Sequence, residues 1–251
     1  MQSNRPYVLT IAGFDPSSGA GLTADIKTFE QLKVYGLAVC TGITLQSEDE
    51  FVSVTWRPLE EVKKEVEFLL QKYQVNAVKF GIVPSLKWLE VLTEVIKNQN
   101  KLIPIIVDPI WKSSTGFEFA DFRNMDKLKS LLSNITLLTP NKDELKLIAG
   151  EQDTSSFAQT LSAYVNVLVK GGHDSLNPGR DLFYDSEKYT ELHSGVRSVN
   201  PKHGSGCVLS AAIAAFIAKD NCDALQACTN AKKYVENFLM SNKSLLGYHA
   251  S

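Results

Sequence analysis

Val199-Asn200-Pro201-Lys202-His203-Gly204-Ser205-Gly206-Cys207 runs without a break into an apolar stretch over residues 208–218. Two glycines flank a serine, and the segment turns at once into a helical pattern that sets Leu209, Ile213, Phe216 and Ile217 on one face. Free amides at a helix start and the positive end of the helix dipole favour a phosphate, and glycine lets a bulky anion approach the backbone. The loop is an anion hole in outline. Cys207 stands where loop becomes helix, where a thiol most easily loses or passes on a proton. A plainer reading makes Gly204 and Gly206 a tight turn and Cys207 a small buried hydrophobe, and the loop alone does not choose between the two.

Outward from that loop, the chain alternates short apolar runs with amphipathic ones. Residues 7–12 form a β-branched run of the kind a strand covered on both faces needs, stopping at Gly13-Phe14-Asp15-Pro16 and leading into a helical pattern over 22–32. A dinucleotide-binding turn would need G-x-G-x-x-G, which is missing, and Asp15 would repel a pyrophosphate. An aspartate there suits a hydrogen bond from a hydroxyl or an amine. Further strands are predicted at 37–45, 75–80, 102–107, 135–138 and 165–169, with helices at 59–73 and 86–96 and a short one ending at Ala149. Residues 181–184 and 188–192, separated only by Asp185-Ser186-Glu187, predict a hairpin. A last amphipathic helix carries Leu225, Cys228, Ala231, Val235, Phe238 and Leu239.

Asp15, Gln46, Asp108, Asn141 and Lys170 each follow the end of a predicted strand. In an open parallel sheet those carboxyl ends line one crevice, so residues far apart in sequence are expected to converge there.

The 251 residues, 44% hydrophobic with a net charge of −2, predict one α/β domain spanning 1–251. Interspersed charges argue against nucleic acid, and no run approaches the roughly 20 apolar residues of a membrane span. The N-terminus lacks an apolar signal segment, and Cys40, Cys207, Cys222 and Cys228 lack zinc-like spacing, so a reducing cytoplasm is expected. His173, His193 and His249 show no ligand spacing either.

Read together, these landmarks resemble the ribokinase-like superfamily, and within it the hydroxymethylpyrimidine/phosphomethylpyrimidine kinases of thiamin biosynthesis. The segment Ala12-Gly13-Phe14-Asp15-Pro16-Ser17-Ser18-Gly19-Ala20-Gly21-Leu22-Thr23-Ala24-Asp25-Ile26-Lys27 is similar to that family's A-G-x-D-P-S-x-G-A-G-x-x-A-D-x-K. Gln46, Lys79-Phe80-Gly81-Ile82, Asp108-Pro109, Thr139-Pro140-Asn141 with Glu144, Lys170-Gly171-Gly172-His173 and His203-Gly204-Ser205-Gly206-Cys207 follow in the family's order.

The resemblance implies a three-layer α/β/α sandwich with a mostly parallel sheet and a small β-hairpin element, a homodimer, and ATP and Mg2+ as cofactors. It further implies phosphorylation of 4-amino-5-hydroxymethyl-2-methylpyrimidine to the monophosphate and then the diphosphate. Gln46 would read the aminopyrimidine edge, since a carboxamide matches a ring acceptor beside an amino donor. Gly13 and Asp15 would meet the substrate's polar substituents, and Ile82 and Ile110 would pack the ring. Gly204, Ser205 and Gly206 would stabilise the transferred phosphate, with Cys207 as the base that takes the hydroxymethyl proton. Thr139, Asn141, Lys170, Gly172 and His203 would face the nucleotide.

Asp108 and Glu144 would act on the nucleotide's magnesium, although a helix-start turn with an acid near the dipole explains Glu144 without a metal. Several relatives carry a lysine where this chain has Ser114, and Lys112 is the only cation nearby, which weakens the expectation for the second phosphorylation. Phe14 replaces a commoner serine. Two other functions fit the same residues: a pyridoxine or pyridoxal kinase, whose ring also bears a hydroxymethyl group, and a regulator that binds pyrimidine or nucleotide without turnover.

Overall fold

The structure is a computed structural model that describes residues 5–110, 130–172, 179–196 and 198–249. Its frame is a nine-stranded sheet in the order β3-β2-β1-β4-β5-β6-β7-β8-β9. β1 (Tyr7–Phe14), β2 (Tyr35–Gln46), β4 (Val75–Phe80), β5 (Ile105–Val107), β6 (Leu137–Leu138) and β7 (Asn166–Val169) run parallel. β3 (Phe51–Trp56) adds antiparallel to β2, while β8 (Asp181–Tyr184) and β9 (Tyr189–Leu192) add antiparallel beyond β7.

Alternation along the strands divides the core in two. Leu9, Ile11, Val78, Phe80, Ile105 and Val107 face one way, onto α2 (Leu59–Lys72), α3 (Leu86–Gln99), α4 (Lys142–Ala149) and α5 (Thr154–Ser162). Val8, Ala77, Ile106, Leu137 and Leu168 face the other way, onto α1 (Gly21–Gln31), α6 (Ser205–Asp220) and α7 (Ala224–Met240). This is the expected three-layer sandwich. The hairpin expected over 181–192 is β8–β9.

Three features depart from the sequence reading. β3 went unread, because Phe51–Trp56 lies against a sheet edge with both faces largely in solvent and carries no clean alternation. α5 also went unread, being short and polar at its start; Asp153 caps it, its side chain accepting from the Ser156 amide. α6 was expected to bury one face, yet it is buried almost all round, because it lies between the sheet and both α1 and α7.

β1 pairs with β2 on one side and β4 on the other, so the chain reverses its direction of winding between them. In such sheets the crevice opens at the carboxyl ends beside that reversal. Gly13 and Asp15 leave β1 there, and Gly81 and Ile82 leave β4.

Candidate active site

The cradle is built at the start of α6. Gly204 caps it in a left-handed conformation (φ 72°), and no side chain caps the helix. The first intrahelical bond runs from the Val208 amide to the Gly204 carbonyl, so the amides of Ser205, Gly206 and Cys207 have no helical partner. No acid stands in the first turn to neutralise them. The loop after β1 fixes this geometry from the opposite end of the sequence. A Cβ on Gly204 would collide with the Gly19 carbonyl oxygen, and Asp15 holds His203 at 2.9 Å through Nε2.

Asp15 is fully engaged within these two loops. It accepts hydrogen bonds from the Ser17 amide, the Ser17 hydroxyl and the Ala20 amide besides the contact with His203. Burial pushes its carboxyl up, but these bonds, His203 first, outweigh it and leave it below the usual carboxylate range. The expected hydrogen-bond acceptor is present, then, with its lone pairs spent on joining the loops. His203 shapes the cradle.

The second half of the site is ionic. Lys170 Nζ lies 2.7 Å from Asp108 Oδ1 and 3.7 Å from Glu144 Oε2, and Thr139 Oγ1 donates to Asp108 Oδ1 at 3.2 Å. A Cβ on Gly206 would stand 3.3 Å from Lys170 Nζ and 3.7 Å from Asp108 Oδ2, so this cluster faces the open amides of α6. Ser210, one turn into α6, donates to Asp108 Oδ2 at 3.3 Å. Burial works against the Lys170 charge, but Asp108 and then Glu144 overcome it and raise its pKa.

Asn141 and Glu144 form a capping box: Asn141 accepts from the Glu144 amide at 2.7 Å, and Glu144 accepts from the Asn141 amide at 2.6 Å. The helix-start role weighed for Glu144 is therefore real. Burial and then Asp108 nevertheless push its carboxyl up to about 7 against the pull of Lys170. A full second charge on Glu144 would leave two carboxylates on one ammonium, a local excess of negative charge that its raised pKa reflects.

That excess is the test for magnesium. Hard oxygen donors short of positive charge fit a hydrated divalent cation carried on phosphate, which keeps several waters and takes one or two carboxylates. Asp108 and Glu144 are the two carboxylates here that fit such an ion.

Cys207 departs from expectation. Its thiol is buried, and burial, with Asp25 and Asp108 adding to it, pushes its pKa up to about 11, against Lys79 and a backbone hydrogen bond from Gly21. The helix terminus was expected to ease loss of the proton, but desolvation prevails.

Beneath the thiol lies a network to which the sequence reading gave no role. Lys79, wholly buried, sits 2.8 Å from Asp25 Oδ2, and Thr10 donates to the same oxygen at 2.5 Å. Burial opposes the Lys79 charge, and Asp25 outweighs it. Asp25 on the buried face of α1, beside Ala24 and Thr28, was the available signal: a carboxylate there needs a cation.

On the acceptor side, Gly13 and Ile82 touch: a Cβ on Gly13 would overlap the Ile82 side chain. Thr41 and Thr44 donate to the carbonyls of Ile82 and Phe14 at 2.8 and 2.9 Å, holding the ends of β4 and β1 against β2. Gln46 ends β2, paired in register with Phe51, and its side chain makes no hydrogen bond to any described residue. Ile110 follows Asp108, donating its amide to that residue's carbonyl at 2.9 Å. Gly172 is open, since a Cβ there would meet nothing within 4 Å. Lys112, Ser114 and His173 lie outside the described residues.

The comparisons with known proteins agree with this geometry. The family model described as phosphomethylpyrimidine kinase matches residues 15–250. A hydroxymethylpyrimidine/phosphomethylpyrimidine kinase of Aquifex aeolicus is 32% identical over 245 residues, covering 94% of this chain and 95% of that protein. Among solved structures, the pyridoxal kinase of Staphylococcus aureus superposes with a TM-score of 0.83 at 27% identity, over 98% of this chain and 93% of its own. A phosphomethylpyrimidine kinase of Clostridium difficile gives 0.75 at 28% identity, over 92% of this chain and 98% of its own.

Proposed function

The chain belongs to the phosphomethylpyrimidine kinase family, and from that premise we propose how its own residues carry out the transfer. The protein is a kinase of thiamin biosynthesis that phosphorylates hydroxymethylpyrimidine and then its monophosphate. ATP is the donor, in keeping with the AMP-PCP complex of the Staphylococcus aureus pyridoxal kinase.

One observation carries the site assignment: the open amides of Ser205, Gly206 and Cys207 face the Lys170–Asp108 pair across the carboxyl ends of the parallel strands. The γ-phosphoryl group sits between them. As its bond to the β-phosphate oxygen breaks and a bond to the substrate alcohol oxygen forms, charge spreads over its equatorial oxygens. The amides and the Lys170 ammonium are already aimed at that charge, so no reorganisation is needed at the moment of transfer. Asp108 and Glu144 would hold the nucleotide's magnesium, which would supply further charge neutralisation.

The alcohol proton passes to Cys207. A thiol with its pKa near 11 is almost wholly protonated at neutral pH, so the reactive form is its small thiolate fraction. A loose transition state makes a scarce base sufficient, because the alcohol loses its proton late. Gln46, whose amide is uncommitted among the described residues, reads the aminopyrimidine edge. Ile82 and Gly13 form the apolar floor, and Ile110 closes the side towards Asp108.

A second reading, pyridoxal kinase, has one observation in its favour: the superposition on the Staphylococcus aureus enzyme is closer than that on the Clostridium difficile kinase. The test is a product assay with Mg-ATP and each ring alcohol, resolving monophosphate from diphosphate. Faster turnover of pyridoxal would overturn the pyrimidine assignment, and binding without product would overturn the kinase mechanism. We further assign a cytoplasmic setting, suited to four unpaired cysteines. A homodimer through the β2–β3 ribbon, where Ile43, Leu45 and Val52 are exposed, completes the proposal.

A further inference from the structure

The nine described residues after α7, 241–249, reach back to the cradle, and nothing in the transfer chemistry above uses them. Three residues of the segment leading into the cradle are tied to this end of the chain. Lys202 donates through Nζ to the carbonyls of Asn242 and Ser244 at 2.6 and 2.8 Å, and the His203 amide donates to the Leu245 carbonyl at 2.9 Å. The Asn200 amide donates to the Leu239 carbonyl at 3.4 Å, at the end of α7. Leu246 also backs Gly19, since a Cβ there would meet Leu246 Cδ2 at 2.9 Å. Both loops of the cradle therefore lean on the same segment.

That segment is itself held rigid. Asn242 Nδ2 and Ser244 Oγ both donate to the Leu246 carbonyl at 2.9 Å, and the Tyr248 amide donates to Ser241 Oγ at 2.9 Å. His249 Nδ1 lies 2.9 Å from the Tyr234 hydroxyl, with its ring centre 4.8 Å from that of Phe238. Gly247 lies so close under Phe238 that a Cβ would stand 2.5 Å from Cε2.

Lys202 is the costly member. The residue is buried, and a charge whose partners among the described residues are two carbonyls gains less than a water shell would give it. Its place in the fold is explained by what it joins.

We propose that residues 241–249 are a clamp that sets the alignment of the cradle amides, and that Lys202 is the positioning residue through which the clamp acts. This rests on the reading of the glycine loop as the phosphate cradle. Amides that stabilise developing charge act only if held in place, and displacement of about 1 Å costs roughly 100-fold in rate.

The test compares Lys202→Met, Lys202→Arg and Asn242→Ala with the wild-type chain and with Phe157→Leu, a core change in α5 on the far side of the sheet. In Lys202→Met, kcat for pyrimidine phosphorylation falls roughly 10- to 100-fold while the KM for the pyrimidine stays within about twofold. Lys202→Arg, which can still bridge two carbonyls, recovers most of that kcat. Asn242→Ala loosens the clamp without touching the cradle and lowers kcat in the same sense. If Lys202→Met does not fold, this variant decides the matter.

In ligand-free protein, exchange of the His203 and Val208 amides, which are bonded to the Leu245 and Gly204 carbonyls, speeds up in Lys202→Met and Asn242→Ala and not in Phe157→Leu. That arm needs no substrate, so it judges the clamp even if wild-type turnover, the test of the cradle's role, fails. Unchanged kcat and unchanged exchange in Asn242→Ala would overturn the proposal. So would losses in the Lys202 variants that merely track their melting temperature as those of Phe157→Leu do.

Discussion

Single residues of the cradle have sharply different jobs, and each job predicts a different failure. Cys207 stays protonated in the free protein, so its base form grows tenfold with each pH unit below about 11. The profile of kcat/KM, which reports the free enzyme, is expected to climb from neutral pH with no plateau before about 11. Cys207→Ala should abolish that rise while binding the pyrimidine as before, which equilibrium titration would check. Gly204→Ala meets two obstacles together, a left-handed backbone and the Gly19 carbonyl. The backbone alone costs about 1–2 kcal/mol, and relief of the clash must open the cradle, so both melting temperature and kcat fall. Lys79→Met leaves Asp25 buried without its cation, a loss of about 3–5 kcal/mol by chemical denaturation. Thr10, already donating to that carboxylate, cannot replace a charge.

Elements transmit what the residues need. Lys232 of α7 donates to Asp181 Oδ2 at 2.7 Å, and Asp181 Oδ1 accepts from the Gly171 amide at 2.7 Å. Gly171 has no room for a side chain, because a Cβ would fall on the Arg180 carbonyl. Helix α7 thus pins the turn that carries Lys170. Lys232→Met is expected to raise the KM for ATP several-fold and leave the pyrimidine KM alone, which steady-state kinetics with each substrate varied in turn would show. The end of the chain adds a pH dependence. Burial, with Lys27 nearby, lowers the His249 pKa to about 4 from an unfolded value of 6.5. The unfolded chain therefore binds the proton first, and the stability that neutral His249 contributes is complete above about pH 6.5 and lost as pH falls towards 4. Melting temperatures should drop across that window, and His249→Phe should flatten the slope.

At the level of the whole molecule, the parallel strands and their polar ends were legible because a strand buried on both faces has to be an apolar run and a residue beyond it has to meet solvent or ligand. That is why Asp15, Gln46, Asp108, Asn141 and Lys170 could be placed at one end of the sheet from their positions in the chain. Edge strand β3 was not legible, since half-exposed residues obey no strict pattern. The protonation of Cys207 was not legible either, because it depends on how deeply the thiol is buried and on Asp25 and Asp108 beyond it. The ties of Lys202 and His203 to residues 242–245 were invisible for a plainer reason: they end on backbone carbonyls, which every residue possesses. Exposed Ile43, Leu45 and Val52 predict that the protein sediments as a dimer and that Leu45→Glu shifts it to monomer. The abutment of Gly204 on Gly19 joins points 185 positions apart along the chain. During synthesis the first of these emerges from the ribosome long before its counterpart exists, so a growing polypeptide cannot close the cradle until the start of α6 is out.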